Sequence, residues 1–461
     1  MRKRVVKEMG SEERATETSV LALPLPFQGH MNPMLQFSKR IASKGIRVTL
    51  VSFTNKVLIG ENGPINVEVF PAYSSEEDDG YLNNLQATMR QTLPQIVAKH
   101  SESGFPVSCV IYDSLMPWVL DIARQLGLPG ASLFTQSSAV NHIYYKLHEG
   151  KLNVPTEQVL VSVEGMPPLE IYDLPSFFYE LEKYPTCLTF MANQFLNIEE
   201  ADWVFFNTFN SLEDEVLRGM TSQWPVKSIG PTIPSMYLDK RVEDNREYGI
   251  NLFKPNVENC MKWLDLREAS SVVYVSFGSI TDLGEKQMQE LANGLKRSGH
   301  YFLWVVKEPE EKKLPSNFVE ETLEKGLIVN WCSQLEVLAH KSIRCFMTHC
   351  GWNSTLEAFS LGVPMVAMPQ WADQSTNAKY VADVWHVGVR VKLDEEGIVT
   401  EEEIELRIRE VMEGVKANEI RKNSEKWKKL AREAVDEGGS SEKNIEEFVA
   451  ELIRSSSATK L

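Results

Sequence analysis

The chain has 461 residues, of which 43% are hydrophobic and 24% charged. That composition excludes a largely disordered, collagen-like or disulfide-scaffold chain, and the length calls for two or three domains. With 48 basic against 64 acidic side chains the net charge is −16, which argues against broad binding to nucleic acid or an anionic membrane but leaves room for a small anion held by a local site.

Residues 1–17 are charged and lack the apolar core of a secretory signal, so they read as a disordered leader. TSVLALPL (18–25) is an apolar run passing into FQGHMNP, after which Met31, Met34, Leu35, Phe37 and Ile41 share one helical face up to a stop at Gly45. RVTLVSF (47–53) is a second strand, and strand, loop, helix, strand makes one parallel βαβ unit. VSCVIYD (107–113), GASLF (130–134), WVFFNTF (203–209) and VKSIGP (226–231) extend this into an N-terminal α/β domain over residues 18–235. Residues 236–255 are polar, charged and poorly periodic, as an interdomain linker would be. A second strand series follows in SVVYVSFGS (271–279), YFLWVV (301–306), LIVNW (327–331), IRCFMTH (343–349) and VPMVAMP (363–369), giving a C-terminal domain over 256–441. Residues 442–461 form an amphipathic helix that can cross back onto the first domain.

No apolar run approaches the roughly 20 residues of a membrane span. The six cysteines form no C-x-x-C pair and read as reduced thiols of a cytoplasmic protein. The phosphate loop G-x-x-x-x-G-K-[ST], H-E-x-x-H and G-x-G-x-x-G motifs are missing, which removes the main support for kinase, zinc-protease and ordinary dinucleotide readings.

Two regions carry chemistry. His30 stands where the first strand gives way to a helix, at the carboxyl edge where open parallel sheets gather ligands. Asp113 ends another strand of the same half. A carboxylate on one imidazole nitrogen fixes the tautomer and stabilises the imidazolium formed when the other takes a proton, so the two make a general-base pair; a lone structural histidine is the competing reading. The denser region is 331–374, where IRCFMTH, a tight CGWNS loop and a helix ending at Gly362 direct backbone N–H groups and a helix dipole at the same kind of edge. His349, Asn353 and Ser354 add side-chain donors there. Ser354 and Glu357 also fit an S-x-x-E capping box, and their spacing does not separate the two roles. Trp331 offers a flat face to a nucleobase or fills a core, and Asp373–Gln374 is either a sugar contact or a polar turn.

Taken together, residues 331–374 resemble the 44-residue signature of plant secondary-product UDP-dependent glycosyltransferases, with T-H-C-G-W-N-S, L-E, G-V-P-M and D-Q in order and no gap. G-H-M-N-P near the start and S-F-G-S at 276–279 extend the resemblance. Departures are small: Cys332–Ser333 stands where Ala-Pro is common, and Arg344 where many members carry a small residue. The resemblance implies an α/β fold of two facing Rossmann-like domains, the GT-B architecture, with parallel sheets flanked by helices. It implies an inverting transfer of glucose from UDP-glucose, the final Gln favouring glucose, to a hydroxyl or carboxyl group of a small hydrophobic metabolite such as a steroid, triterpenoid or phenolic. His30 would be the base and Asp113 its partner. Trp331, Cys332 and Gln334 would hold the uridine, Glu357 the ribose, His349, Asn353, Ser354 and Ser279 the diphosphate, and Trp352, Asp373, Gln374 and Thr135 the sugar. Phe27, Met116, Tyr145, Phe195 and Trp385 are expected along the acceptor pocket. Neither metal nor cofactor is expected, and the anticipated form is a cytoplasmic monomer whose partners are the UDP-sugar and the acceptor. The competing reading from another class is a non-catalytic UDP-sugar or small-ligand binding protein on the same fold.

Overall fold

The computed structural model describes residues 18–53, 58–59, 65–70, 81–154, 159–221, 224–243, 245–251 and 257–458; the leader expected over 1–17 lies outside them. Strands β1 (Ser19–Leu23), β2 (Arg47–Ser52), β3 (Asn66–Val69), β4 (Val107–Asp113), β5 (Gly130–Phe134), β6 (Trp203–Phe206) and β7 (Val226–Ser228) form one sheet. Strands β8 (Val272–Ser276), β9 (Tyr301–Val305), β10 (Gly326–Val329), β11 (Ile343–Thr348), β12 (Met365–Ala367) and β13 (Gly388–Arg390) form another. All pairings within both sheets are parallel. Helix α1 (Gln28–Ala42) follows β1, α2 (Gln334–Ala339) follows β10, α3 (Trp352–Leu361) follows β11, and α4 (Ser440–Ala458) ends the described chain.

The spatial orders are β3-β2-β1-β4-β5-β6-β7 and β10-β9-β8-β11-β12-β13. In each sheet the chain begins in the middle, works outward to one side, and then returns to pair a new strand with the first. Each sheet therefore has one switch point, between β1 and β4 and between β8 and β11, where neighbouring loops part and leave a crevice at the carboxyl ends. The central strands are buried along their whole length, as in VLAL of β1 and VVYVS of β8, because helices cover both faces. Two edge strands were not legible as strands: β3 reads NVEV and is half-exposed, and β13 has three residues. An edge strand needs no continuous apolar run, so its sequence looks like loop.

The chain end returns to the first half. The Phe448 ring of α4 lies 5.0 Å from Phe205 of β6 and 6.2 Å from Phe37 of α1. Its first turn brings buried Glu442 to Lys44 at 2.6 Å, Arg241 at 3.1 Å and Arg40 at 3.5 Å. Further contacts join the halves around the mouth of the cleft. Arg390 pairs with Asp173 at 2.6 Å, the Trp385 indole donates to the Leu212 carbonyl at 3.1 Å, and Ser176 exchanges hydrogen bonds with the Ala372 backbone. The carboxyl edges of the two sheets thus face each other across one space. Among the described residues no helix is long and apolar enough to cross a membrane.

Candidate active site

At the first switch point β1 runs into α1, whose third residue is His30. Asp113 is the last residue of β4, the strand paired with β1, so the order of strands alone brings the two side chains to one edge. Their contact is short: His30 Nδ1 to Asp113 Oδ2 is 2.7 Å, with Asp113 fully buried. Thr135, just past β5, places its Oγ1 2.9 Å from the same nitrogen. Nδ1 is therefore engaged from both sides, and Nε2 remains as the nitrogen available to a ligand. Burial alone would lower the histidine pKa, but the Asp113 carboxylate outweighs it, with help from Asp373 across the cleft, and the net is a rise above 6.5.

The motif GHMNP has a second consequence. Pro33 lies inside α1 and has no N–H to give to the carbonyl four residues back, which is that of Gly29. That freed carbonyl accepts instead from Asn353 Nδ2 of α3 at 2.7 Å. The helix carrying His30 and the helix opening the second switch point are joined by this bond.

At the second switch point β11 ends at Thr348, and Cys350 takes a left-handed φ of 63° that turns the chain sharply into α3. The His349 ring lies between two glycines: a Cβ on Gly278, after β8, would sit 2.8 Å from its Nε2, and one on Gly351 2.6 Å from it. Only glycine fits at either position without moving the ring. His349 has no carboxylate beside it, and burial pushes its pKa down to about 4, so its imidazole is neutral near pH 7.

The capping-box alternative fails on geometry. Gly351 is the N-cap of α3 and no side chain caps it; Ser354 lies inside the first turn. Gln334 Nε2, from α2, donates instead to Ser354 Oγ at 2.9 Å and to Glu357 Oε2 at 2.6 Å. Tyr248 donates its hydroxyl to Glu357 Oε1 at 2.7 Å. Burial pushes the Glu357 pKa up to about 7, while the Gln334 and Tyr248 hydrogen bonds hold it down. Asp373 is similarly pushed up to about 6 by burial, opposed mainly by Asn377, which donates to its Oδ2 at 2.7 Å. Gln374 Oε1 accepts from the backbone N–H groups of Gln370 and Trp371, leaving its NH2 group for a ligand. Trp352 lines the cleft, but its indole N–H is committed to the Asn207 carbonyl at 2.7 Å.

His30, Tyr248, His349, Trp352, Asn353, Ser354, Glu357, Asp373 and Gln374 line one cleft of about 500 Å³, together with Phe27, Thr135, Ser279, Trp331, Cys332 and Gln334, while Asp113 stands behind His30 outside the lining. Cys332, one of the departures from the signature, places its Sγ 3.3 Å from the Tyr274 hydroxyl; the other, Arg344, is a nearly buried residue of β11. Four expected pocket residues do not line the cleft. Met116, Tyr145 and Phe195 lie in the core of the first half, where Phe195 stacks on Phe134 and Tyr145 packs edge-on to Trp224. Trp385 is buried against Phe359 and Tyr380. An aromatic in an apolar run fits core and pocket equally well, which is why the sequence did not separate them. Leu25, Leu115, Phe177, Cys187, Phe190, Met191 and Trp371 form the apolar lining instead. Arg246, Glu247 and Tyr248 of the interdomain connection also line the cleft, and no pattern in their polar segment marks them. Among the described residues no group of three or more His, Cys, Asp or Glu is placed to hold a metal ion.

Comparison with known proteins agrees with this geometry. Residues 238–429 match the family described as UDP-glucoronosyl and UDP-glucosyl transferase, and residues 16–59 a glycosyltransferase N-terminal domain. The chain is 51% identical over 448 residues to UDP-glycosyltransferase 74E2 of Arabidopsis thaliana, covering 94% of this chain and 98% of that one. It is 49% identical to a mogroside I-E synthase of Siraitia grosvenorii over 95% of this chain and 98% of that one. The crystal structure of Os79 from O. sativa in complex with UDP superposes with a TM-score of 0.88 at 41% identity, covering 94% of this chain and all of that one. At this identity and coverage the chain belongs to the plant UDP-glycosyltransferases, a GT-B enzyme that transfers a glycosyl group from a UDP-sugar.

Proposed function

We propose that the enzyme transfers glucose from UDP-glucose to a hydroxyl or carboxyl group of a small hydrophobic acceptor, with inversion, to give a β-glucoside. The observation that carries this reading is the pair of switch points facing one cleft: a histidine made basic by a carboxylate on one side, and a neutral histidine beside a helix N-terminus on the other. The donor lies on the C-terminal side. Trp331 stacks on the uracil, Cys332 and Gln334 line the uridine pocket, and Glu357 accepts from the ribose hydroxyls. Ser279, His349, Asn353, Ser354 and the N–H groups of α3 bind the diphosphate as neutral donors. Asp373, Gln374 and Thr135 hold the sugar, with Trp352 behind it.

The acceptor lies on the N-terminal side, against Phe27, Leu115, Phe190 and Met191. Solved relatives are found in complex with a trichothecene (Os79 of O. sativa) or with pterostilbene (UGT2 of Phytolacca americana), and a steroid, triterpenoid or phenolic suits the apolar lining here. His30 Nε2 takes the proton of an acceptor hydroxyl as its oxygen bonds to the anomeric carbon. The bond from that carbon to the β-phosphate oxygen breaks, and its electron pair leaves on UDP. A carboxylate acceptor needs no proton removed, and His30 then only orients it. The developing charge on UDP meets donors already aimed at it, an arrangement in which one donor is worth about 10²- to 10³-fold in rate.

The test is incubation with UDP-glucose and a panel of steroid, triterpenoid and phenolic acceptors, read by mass. An increment of one hexose on an acceptor is expected, with the β-anomer identified by nuclear magnetic resonance. No product from any acceptor, or an α-glucoside, would contradict the reading.

A further inference from the structure

The interdomain connection supplies a side chain to the donor site. Residues 245–248 are fastened to α1 by a buried polar clasp. Lys39 Nζ donates to the Tyr248 carbonyl at 3.1 Å, the Glu247 carbonyl at 3.3 Å and Asn245 Oδ1 at 3.4 Å. Gln36 Nε2 reaches the same two carbonyls, and Asn245 Nδ2 donates to Gln36 Oε1 at 2.8 Å. Lys39, Gln36 and Asn245 are each at most 6% exposed. Burying a lysine is costly: burial pulls the Lys39 pKa down to about 8, only partly offset by the Glu247 charge, and what this lysine holds is the backbone on either side of Tyr248. That backbone aims the Tyr248 ring, whose hydroxyl meets Glu357 Oε1.

We propose that Tyr248 is a positioning residue for the donor: its hydroxyl, set by the Lys39–Gln36 clasp, fixes the Glu357 carboxylate in the orientation that receives the ribose. This rests on the assignment of Glu357 to the ribose made above. A carboxylate accepts about four hydrogen bonds. Tyr248 takes one position on Oε1 and Gln334 one on Oε2, which leaves one on each oxygen for the two ribose hydroxyls. The titratable groups around Glu357 are the phenols of Tyr237, Tyr248 and Tyr274, with Glu247 and Glu336 beyond Tyr237. No cation among the described residues figures in the Glu357 shift, so Tyr248 and Gln334 are the donors that favour its ionised form. Removal of the hydroxyl therefore makes donor binding weaker and more sensitive to acid.

The experiment is calorimetric titration of the full chain with UDP-glucose, without acceptor, at pH 6 and pH 8. Tyr248→Phe is expected to bind about ten-fold more weakly at pH 8, the cost of losing a hydrogen bond to a charged group, and weaker still at pH 6. In turnover the Michaelis constant for UDP-glucose should rise while those for acceptors and kcat hold. Lys39→Met keeps the hydroxyl but frees the backbone, and should give an intermediate loss. It also carries the test if Tyr248→Phe does not fold. Unchanged or tighter binding in the folded variants, beside normal binding by wild type, would overturn the proposal. Failure of wild type itself to bind UDP-glucose would overturn the donor assignment beneath it.

Discussion

The two halves of the molecule solve the same topological problem with the same strand order, and each puts a histidine at its switch point. His30 has a buried carboxylate at 2.7 Å and a pKa above 6.5; His349 has two glycines against its ring and a pKa near 4. Burial acts on both rings in the same direction, so the difference lies in the neighbouring strand. His30 follows β1 and meets, across its switch point, β4 ending in Asp113; His349 follows β11 and meets, across its own, β8 ending in Ser276 and leading to Gly278. A carboxylate makes an imidazole a proton acceptor, and its omission leaves a neutral hydrogen-bond donor. One fold, used twice, yields the proposed base and the proposed diphosphate site through the residue at the end of one neighbouring strand.

The largest effects are expected at the two histidines themselves. Glutamine keeps a hydrogen-bonding amide but cannot take a proton. His30→Gln should therefore lose about 10³-fold in kcat, with UDP-glucose binding retained by calorimetry. His349→Gln should lose far less than His349→Leu, whose donor affinity is expected to fall about 10- to 100-fold for want of a hydrogen bond to a charged oxygen. If glutamine rescued both positions, or neither, the two histidines would not differ as argued.

Asp113→Asn should cost about 10²-fold in kcat and show its cause in the pH profile. A base must be unprotonated, so the rate rises as pH passes upward through the His30 pKa, which lies above 6.5 in the wild type. Loss of the Asp113 charge leaves burial as the main influence, and the acid limb should move to lower pH even as the plateau drops. A limb that stayed in place would assign the pH dependence to another group.

The smallest effect is expected at Pro33. Pro33→Ala restores an N–H that competes with Asn353 for the Gly29 carbonyl. The helix should gain about 3 kcal/mol, less about 1 kcal/mol for the displaced Asn353 bond, seen as a higher melting temperature, while the Michaelis constant for UDP-glucose rises a few-fold. A gain in stability with no change in donor use would mean that the bond between the two helices has no part in binding.

Much of this was present in the residue order. Local chemistry is written where a motif is contiguous: His30 in GHMNP, and the run 331–374 with its strand, tight turn and helix. The central strands were legible because burial on both faces leaves an unbroken apolar run, and the family followed from that contiguous signature. The edge strands β3 and β13 were not legible, the first because partial exposure dilutes the pattern and the second because it has only three residues. What required the tertiary structure was every decision between identical local patterns. Ser354 and Glu357 fit a helix cap by spacing, and only the arrival of Gln334 and Tyr248 from other elements gave them different partners. Met116, Tyr145, Phe195 and Trp385 are as apolar as Phe190 and Met191, yet packing put the first four into cores and left the others facing the cleft. Sequence specifies which side chains can do chemistry. Which of them meet is fixed by strand order and by contacts over hundreds of residues, and a charged interdomain segment carries no local sign that one of its tyrosines will reach Glu357 in the cleft.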